Sequence, residues 1–307
     1  MEKNFHTIYL PTRPQTDTII AIFILKKLGK EEFPGVEDAE VAILSQVEEG
    51  KSEKDYLNDG CVLIDIGGGR FDHHTQGETA THAIADYLGL LDYPPLQKLI
   101  QIAERDDKYG KGIISKDRLD RAFGLPGLIM ALNKSTDDNA DLVVRSFLPI
   151  IWGHYHEECR RTIELPEEFK QLEGEGKVKE IHVDHKGKNL FVMGVESNSK
   201  SIAGWLRAYK RADVVVQKNT SGHAIVLTNP RSSVDLSGVA AEIRAAESGE
   251  KKDGFDKPGR IDEVPYWYYD TATNSLLNGG SHASDVEPSS LTLAVLLEKV
   301  KKGLGEL

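Results

Sequence analysis

Residues 61–74 read Cys61-Val62-Leu63-Ile64-Asp65-Ile66-Gly67-Gly68-Gly69-Arg70-Phe71-Asp72-His73-His74. The apolar run at the start predicts a buried β-strand, with the carboxylate of Asp65 at its carboxyl end. Parallel α/β sheets bind their ligands beyond the carboxyl ends of their strands. The carboxylate oxygens and imidazole nitrogens that follow suit manganese, iron, zinc or magnesium. The stretch therefore indicates a metal site at a sheet edge, and the alternative is a charged surface loop.

Segments on both sides of this stretch alternate between strand and helix patterns. Strands are predicted at 5–10, 39–44 and 61–66, where β-branched and aromatic residues are frequent. Helices are predicted by apolar spacing and end signals at 17–28, 80–88, 96–105 and 141–165. This alternation is typical of βαβ units and predicts a parallel sheet.

The pattern changes after Pro166. Residues 166–177 are polar and end in Gly174-Glu175-Gly176, which indicates a linker. Paired strands and helices follow, beginning with a hairpin pattern at 178–195. We therefore expect an α/β protein in which a parallel-sheet domain, 1–165, precedes a smaller mixed α/β domain, 178–307.

Composition narrows the class of partner. The 307 residues carry 38 Lys and Arg against 49 Asp and Glu, a formal net charge of −11. This acidic balance favours a small or short substrate over a long polymer, although it is compatible with a local basic groove. No run approaches the roughly 18 apolar residues of a membrane helix. Two distant cysteines imply no disulfide framework. We expect a cytoplasmic protein with no membrane partner.

Three further segments carry candidate ligands. They are Thr12-Arg13-Pro14-Gln15-Thr16-Asp17 after the first strand, Glu104-Arg105-Asp106-Asp107 at a helix end, and Gly279-Gly280-Ser281-His282 near the carboxyl end. Each has an ordinary alternative. Asp17 is a good residue for a helix start, and Asp106 and Asp107 could be solvated charges.

In their order along the chain, these segments resemble the DHH phosphoesterase superfamily. That superfamily includes RecJ-type exonucleases, nanoRNases, cyclic-dinucleotide phosphodiesterases and family II inorganic pyrophosphatases. The spacing from Asp65 to the Phe71-Asp72-His73-His74 run particularly resembles the Myg-type exonuclease branch. Asn229-Pro230-Arg231-Ser232-Ser233-Val234-Asp235-Leu236-Ser237 and the Gly279 segment are similar to the DHH-associated substrate-binding domain.

The resemblance implies roles for residues in both domains. Family members hold two divalent ions, usually manganese, and the residues that match the second metal site are Asp17, Asp65, His73 and one of Asp106 or Asp107. By the same resemblance, Asp65 bridges the ions, His74 faces the substrate phosphate, and Asp72 orients an imidazole. Substrate contacts from the second domain are implied for Arg231, Gly279, Gly280 and His282.

The first metal motif departs from the family pattern. Thr12 and Gln15 occupy the positions of a histidine and an aspartate, and neither supplies an imidazole or an anion. Hard divalent cations depend heavily on anionic ligands at oxygen-rich sites. We therefore expect one strong metal site, with a second ion weak or recruited with substrate.

Two functions follow as hypotheses. The first is a manganese-dependent phosphohydrolase, exonuclease-like, that cleaves a phosphodiester in short oligonucleotides or nucleotides. The alternative is a catalytically weakened relative that binds a nucleotide or a nucleic-acid end without hydrolysis. Pyrophosphatase-like cleavage of an anhydride fits the second domain less well. The sequence does not settle the oligomeric state and leaves a homodimer open.

Overall fold

The chain divides between Ile163 and Glu164 into two units, Met1–Ile163 and Glu164–Leu307. The structure, a computed structural model, describes residues 4–75, 77–110, 116–137, 139–279 and 286–305. Both units combine helices with a sheet, so the protein has the α/β fold expected from the sequence. None of the helices in these ranges is both long and apolar enough to cross a membrane.

The first unit is built around three parallel strands in the order β2-β1-β3. The strands are β1 (Thr7–Leu10), β2 (Glu40–Ile43) and β3 (Cys61–Leu63). In the described part of this unit, the α-helices are α1 (Thr16–Leu28), α2 (Glu53–Asn58), α3 (Ala80–Tyr87), α4 (Gln97–Tyr109), α5 (Arg118–Phe123), α6 (Leu125–Ser135) and α7 (Ala140–Cys159). The expected parallel sheet is therefore present.

Helix α1 forms the centre of the first unit. All ten residues from Thr16 to Leu25 are buried, and the helix packs against α3, α4 and α7. A helix that is apolar on every side belongs in a core, because it has no polar face to turn toward water. Its first turn begins just after β1, so Thr16 and Asp17 lie at the carboxyl edge of the sheet.

The second unit places helices on both faces of a six-stranded mixed sheet in the order β4-β5-β6-β7-β9-β8. Its strands are β4 (Val178–His185), β5 (Lys188–Glu196), β6 (Val214–Lys218), β7 (Ala224–Thr228), β8 (Tyr268–Asp270) and β9 (Ser275–Asn278). Its helices are α8 (Leu165–Gly174), α9 (Ile202–Tyr209), α10 (Ser237–Ser248) and α11 (Leu293–Gly305). Strands β5 and β6 are parallel, and the other pairs are antiparallel.

Alternation along the central strands divides the second core into two layers. Val192 and Val214 pack with α10 and α11, whereas Met193 and Val215 pack with α8 and α9. Successive side chains of a strand point to opposite faces, so each strand contributes to both layers.

Residues 166–177 do not form the linker expected from their polarity. Residues 165–174 form α8, and Leu165, Phe169 and Leu172 are buried in the second unit. These three residues follow a helical spacing and make one apolar stripe, while the polar residues between them face outward. Residues 166–177 therefore belong to the second domain, which corrects the expected boundary.

Helices α10 and α11 approach each other through glycines. A Cβ on Gly303 would lie 2.6 Å from the backbone carbonyl carbon of Gly238, closer than packed atoms allow. A Cβ on Gly153, which is exposed on α7, would contact nothing within 4 Å.

We expect Gly303→Ala to lower the free energy of unfolding by about 1–3 kcal/mol, because the helices must separate. Gly153→Ala is the matched control and is expected to raise it by up to about 1 kcal/mol, since alanine favours a helix interior. Urea unfolding of both variants measures the difference. Equal effects of the two substitutions would contradict the close approach of α10 and α11.

Candidate metal centre

Two buried carboxylates meet at the carboxyl edge of the first sheet. Asp17 lies in the first turn of α1, after β1, and Asp65 lies two residues after β3. Because β1 and β3 are paired in parallel, the segments that leave them emerge side by side. Asp65 has a φ of +60°, a left-handed conformation that is uncommon for residues other than glycine but is tolerated by aspartate.

His73 lies among three carboxylates. Its Nδ1 atom is 2.8 Å from Oδ1 of Asp65 and 3.5 Å from Oδ2 of Asp17. Its Nε2 atom is 3.6 Å from Oδ1 of Asp107, near the end of α4. The turn that holds His73 follows the glycine-rich loop, so the loop brings the imidazole back to the strand end.

The contact between His73 and Asp65 has the spacing of metal ligands without the alignment of a hydrogen bond. Both Nδ1 of His73 and Oδ1 of Asp65 are buried, and neither finds a hydrogen-bond partner among the described residues. Ligand atoms about 2.1 Å from one ion, at right angles around it, are about 3 Å apart. The donor set, imidazole nitrogen with carboxylate oxygen, therefore fits a divalent cation.

Two threonines support the carboxylates, and the sequence reasoning did not identify them. Thr18 donates a hydrogen bond of 2.8 Å from Oγ1 to Oδ2 of Asp65. Thr16 donates a bond of 2.6 Å to Oδ2 of Asp106. The signal was present as the Thr16-Asp17-Thr18 triplet in the first turn of an apolar helix. Partners of this kind orient a ligand and tune its affinity for metal.

The electrostatics of the two buried acids are unfavourable without a cation. Burial, with the charge of Asp65 as the next cause, raises the pKa of Asp17 to about 6. Burial also raises the pKa of Asp65, although the bond from Thr18 acts in the opposite direction. Burial disfavours the ionised form of a carboxyl group, and a like charge nearby adds to the effect.

Asp72 and His74 adjoin this cluster, because the rings of His73 and His74 are stacked 4.5 Å apart and Nδ1 of His74 is 3.7 Å from Oδ1 of Asp65. Asp72 accepts hydrogen bonds from the backbone N–H of Gly68, at 2.7 Å, and from the backbone and Nδ1 of His74, at 3.1 Å and 2.6 Å. Burial opposes ionisation of Asp72, but these bonds lower its pKa overall. The bond to Asp72 raises the pKa of His74, whose side chain is 66% exposed. Asp72 thus holds the His74 imidazole in a fixed position.

Asp106 and Asp107 have different surroundings. Asp107 is the acid near His73, whereas Asp106 is bound to Thr16 and has a buried Oδ1 atom without a described partner. Thr12 and Gln15 are exposed. Gln15 precedes α1, and its backbone N–H donates to Oγ1 of Thr18 at 3.3 Å.

The residues expected to contact substrate from the second unit are described only in part. Arg231 lies in the turn after β7, and Gly279 follows β9. Gly279 has a φ of +79°, and a Cβ there would lie 2.5 Å from the His223 ring. Gly280 and His282 lie outside the described residues.

A second acid and histidine group, Glu78, His82 and Glu104, lies on α3, α4 and the loop before α3. His82 Nδ1 is 3.2 Å from Oε1 of Glu104, and Lys108 Nζ is 3.0 Å from Oε2 of Glu78. The acids of this group thus already have partners, His82 inside the group and Lys108 beside it, and these contacts account for it as a polar network at the surface.

Asp17→Asn is expected to alter how stability depends on pH in metal-free protein. A folded pKa near 6, above the unfolded value of 3.8, means that the stability from this carboxyl group is present below pH 4 and is lost as the pH rises to 6. At pH 7 we expect the free energy of unfolding of metal-free Asp17→Asn to be about 1–3 kcal/mol higher than that of the wild type. At pH 4 we expect the two values to be equal. Urea unfolding with a chelator measures this, and Asp86→Asn, at an exposed site on α3, is the control. The prediction would be contradicted if the free energy of unfolding of the wild type rose relative to that of Asp17→Asn between pH 4 and pH 7.

Thr18→Val is expected to weaken divalent-metal binding by about 10- to 100-fold, because Asp65 loses the hydroxyl that orients it. Calorimetric titration with Mn²⁺ measures the change. Thr136→Val removes a hydroxyl that donates to the Leu132 carbonyl oxygen and is the control. Unchanged affinity in Thr18→Val would show that this hydrogen bond does not orient a ligand.

Comparisons with known proteins do not assign a family. No protein-family model matches the chain, and no curated protein matches it. A solved structure that is similar is the crystal structure of an uncharacterized protein from Helicobacter pylori G27. It has 10% identity and a TM-score of 0.25, over 98% of this chain and 99% of that chain. A likeness at this level carries no argument about fold or function.

Proposed function

We propose that the protein is a manganese-dependent phosphohydrolase of the DHH phosphoesterase superfamily that cleaves a phosphodiester bond in short oligonucleotides or nucleotides. The observation that carries the proposal is the contact of 2.8 Å between Nδ1 of His73 and Oδ1 of Asp65. Both atoms are buried, and neither has a hydrogen-bond partner among the described residues. Asp17 and Asp107 approach the same imidazole.

The chemistry of the ligand atoms supports a divalent cation. Nitrogen and carboxylate oxygen suit manganese, iron, zinc and magnesium, and the choice of manganese rests on the family resemblance. A divalent ion held by Asp17, Asp65 and Nδ1 of His73 would polarise a phosphoryl oxygen and lower the pKa of a water molecule, whereas Asp107 faces Nε2 on the other side of the ring. Its positive charge would also offset the repulsion between the buried carboxylates.

The second histidine has properties suited to a phosphate contact. His74 is mostly exposed, and its Nδ1 atom is held by Asp72, which leaves Nε2 available to the substrate. The raised pKa of His74 increases the fraction of imidazolium near neutral pH. A protonated Nε2 donates a charge-assisted hydrogen bond to a phosphate oxygen and stabilises the charge that develops there during hydrolysis.

The altered first motif limits the proposal to one strong metal site. Thr12 and Gln15 are exposed and carry no anionic group, so a second ion would bind weakly or arrive with the phosphate of the substrate. The same two residues favour the alternative function, in which the protein binds a nucleotide or a nucleic-acid end without hydrolysing it. The buried charges oppose that alternative, because a carboxylate pair of this kind destabilises a fold that does not use it.

A cytoplasmic location belongs to the same proposal, and it is supported by the free thiols of Cys61 and Cys159, since a reducing compartment keeps cysteines unpaired.

Hydrolysis assays on short RNA, short DNA and a dinucleotide test the proposal. Protein stripped of metal is expected to gain turnover with Mn²⁺, and Asp65→Asn is expected to reduce kcat/KM by about 100-fold or more, since the metal loses a central anionic ligand. His182→Ala, at an exposed position of β4, is the control and is expected to keep full activity.

The stoichiometry of Mn²⁺ separates the remaining outcomes. One bound ion without turnover on any of the three substrates would favour the binding function. Failure to bind Mn²⁺, or equal binding in Asp65→Asn and the wild type, would exclude the assigned metal site.

A further inference from the structure

We propose that a cationic pocket within the second unit binds the phosphodiester backbone of a short single-stranded oligonucleotide. The pocket, called here the arginine pocket, has a volume of about 980 Å³ and is lined by Lys188, Arg207, Arg211 and Arg231 together with Asp213 and Ser232. The family resemblance covers Arg231 but not Lys188, Arg207 or Arg211. The choice of an oligonucleotide as ligand rests on the proposed function, whereas the anion site rests on the pocket itself.

The topology of the sheet brings these residues to one end. Strand β5 begins at Lys188, β6 begins at Val214, and β7 ends at Thr228. Since β5 and β6 are parallel and β7 is antiparallel to β6, all three of these ends lie at the same edge. Helix α9 contributes Arg207 from its last turn, and Arg211 follows that helix. The cations therefore come from separate parts of the sequence, which is why no basic run marks the pocket.

Hydrogen bonds that do not involve the cationic groups build the frame of the pocket. The carboxylate of Asp213 accepts the backbone N–H of Phe191, at 2.8 Å, and the hydroxyl of Ser232. Asn229 donates from Nδ2 to the carbonyl oxygen of Arg207, at 3.1 Å, and its Oδ1 accepts the backbone N–H of Arg231, at 3.2 Å. These bonds join the loop after β7 to α9 and β5, so the pocket is defined before any ligand enters.

The positive charge of the pocket is not neutralised within the protein. Four cationic side chains share the pocket with Asp213, which is already bonded to neutral donors. Within the described ranges, none of the four forms an ion pair with a carboxylate. Arg207 donates from Nη1 to the carbonyl oxygen of Thr228, at 2.8 Å, and its buried Nε has no described partner. In a chain with a net charge of −11, this concentration of unpaired cations indicates a site for an anion.

The shape and lining of the pocket favour a chain of phosphates. Guanidinium groups match phosphate oxygens through paired N–H donors. The volume is at the upper end of the range for small-molecule sites, about 300–1,000 Å³, and is much larger than a single phosphate needs. The described lining residues include no aromatic ring on which a base could stack. The pocket would therefore bind the backbone and tolerate any base sequence.

Equilibrium binding of labelled pentamers of RNA and DNA to the full chain, with a chelator present to prevent hydrolysis, tests the proposal. Lys188→Gln and Arg211→Gln change exposed side chains, and Lys179→Gln, exposed on β4 outside the pocket, is the control for removal of one charge. We expect each pocket variant to weaken binding about five- to tenfold for every base sequence. The slope of log K against log salt should decrease by about 0.7 for each phosphate that is no longer bound. Lys179→Gln should bind as the wild type does.

Three results would overturn the proposal. The first is pentamer binding by the pocket variants that equals that of the wild type. The second is a Lys179→Gln variant that binds as weakly as the pocket variants do. The third is competition by inorganic phosphate or a mononucleotide that is as effective as competition by a pentamer, which would indicate a site for a single anion.

The outcome is distinguishable from that of the hydrolysis test. The binding assay contains a chelator and tests only the arginine pocket, whereas the hydrolysis assay contains Mn²⁺ and tests the metal centre. Binding that depends on the pocket, without turnover on any substrate, would support this inference and contradict the hydrolase. Turnover of a dinucleotide that is lost in Asp65→Asn, with pentamer binding unchanged in the pocket variants, would overturn the pocket and support the hydrolase.

Discussion

The close approach of Asp17 and Asp65 is the constraint on which the candidate metal centre depends. Two carboxyl groups are held together at the edge of a sheet, where burial raises both pKa values and the charge of Asp65 raises that of Asp17 further. An apolar helix and a paired strand provide the rigidity that keeps them there, because α1 is buried along its first ten residues and β1 is hydrogen-bonded to β3. Packing of the core thus supplies the free energy that offsets an unfavourable arrangement of charge. This is the usual relation between a rigid scaffold and a functional site placed at its edge.

Much of the fold could be predicted because the local signals agreed with the tertiary structure. The hairpin of β4 and β5 is an example, since Lys186 and Gly187 both adopt positive φ in a two-residue turn between alternating strands. The polar composition of residues 166–177 indicates a linker, but Leu165, Phe169 and Leu172 form an apolar stripe that begins before residue 166 and makes the segment a helix. Composition is a weaker guide than periodicity where an amphipathic helix carries many charges.

The candidate site was predictable to a similar degree and for similar reasons. Residues next to strand ends, such as Asp65, could be placed from topology alone, because parallel strands end at one edge. The choice between Asp106 and Asp107 could not be made, since it depends on which face of α4 meets His73. For a related reason, the sequence carries no signal that groups the cations of the arginine pocket. Lys188, Arg207 and Arg231 are distant in sequence and become neighbours only through the order of strands in the sheet.

The backbone of Asp65 restricts what evolution can place at this position. Its left-handed conformation is open to glycine without strain, and to asparagine or aspartate at modest cost, but most other side chains are disfavoured there. Of those three residues, only aspartate carries a negative charge. Glycine or asparagine at this position would keep the backbone conformation and remove the repulsion with Asp17, and glycine would relieve the torsional strain as well. The backbone therefore does not require aspartate here, and the negative charge is what this residue adds.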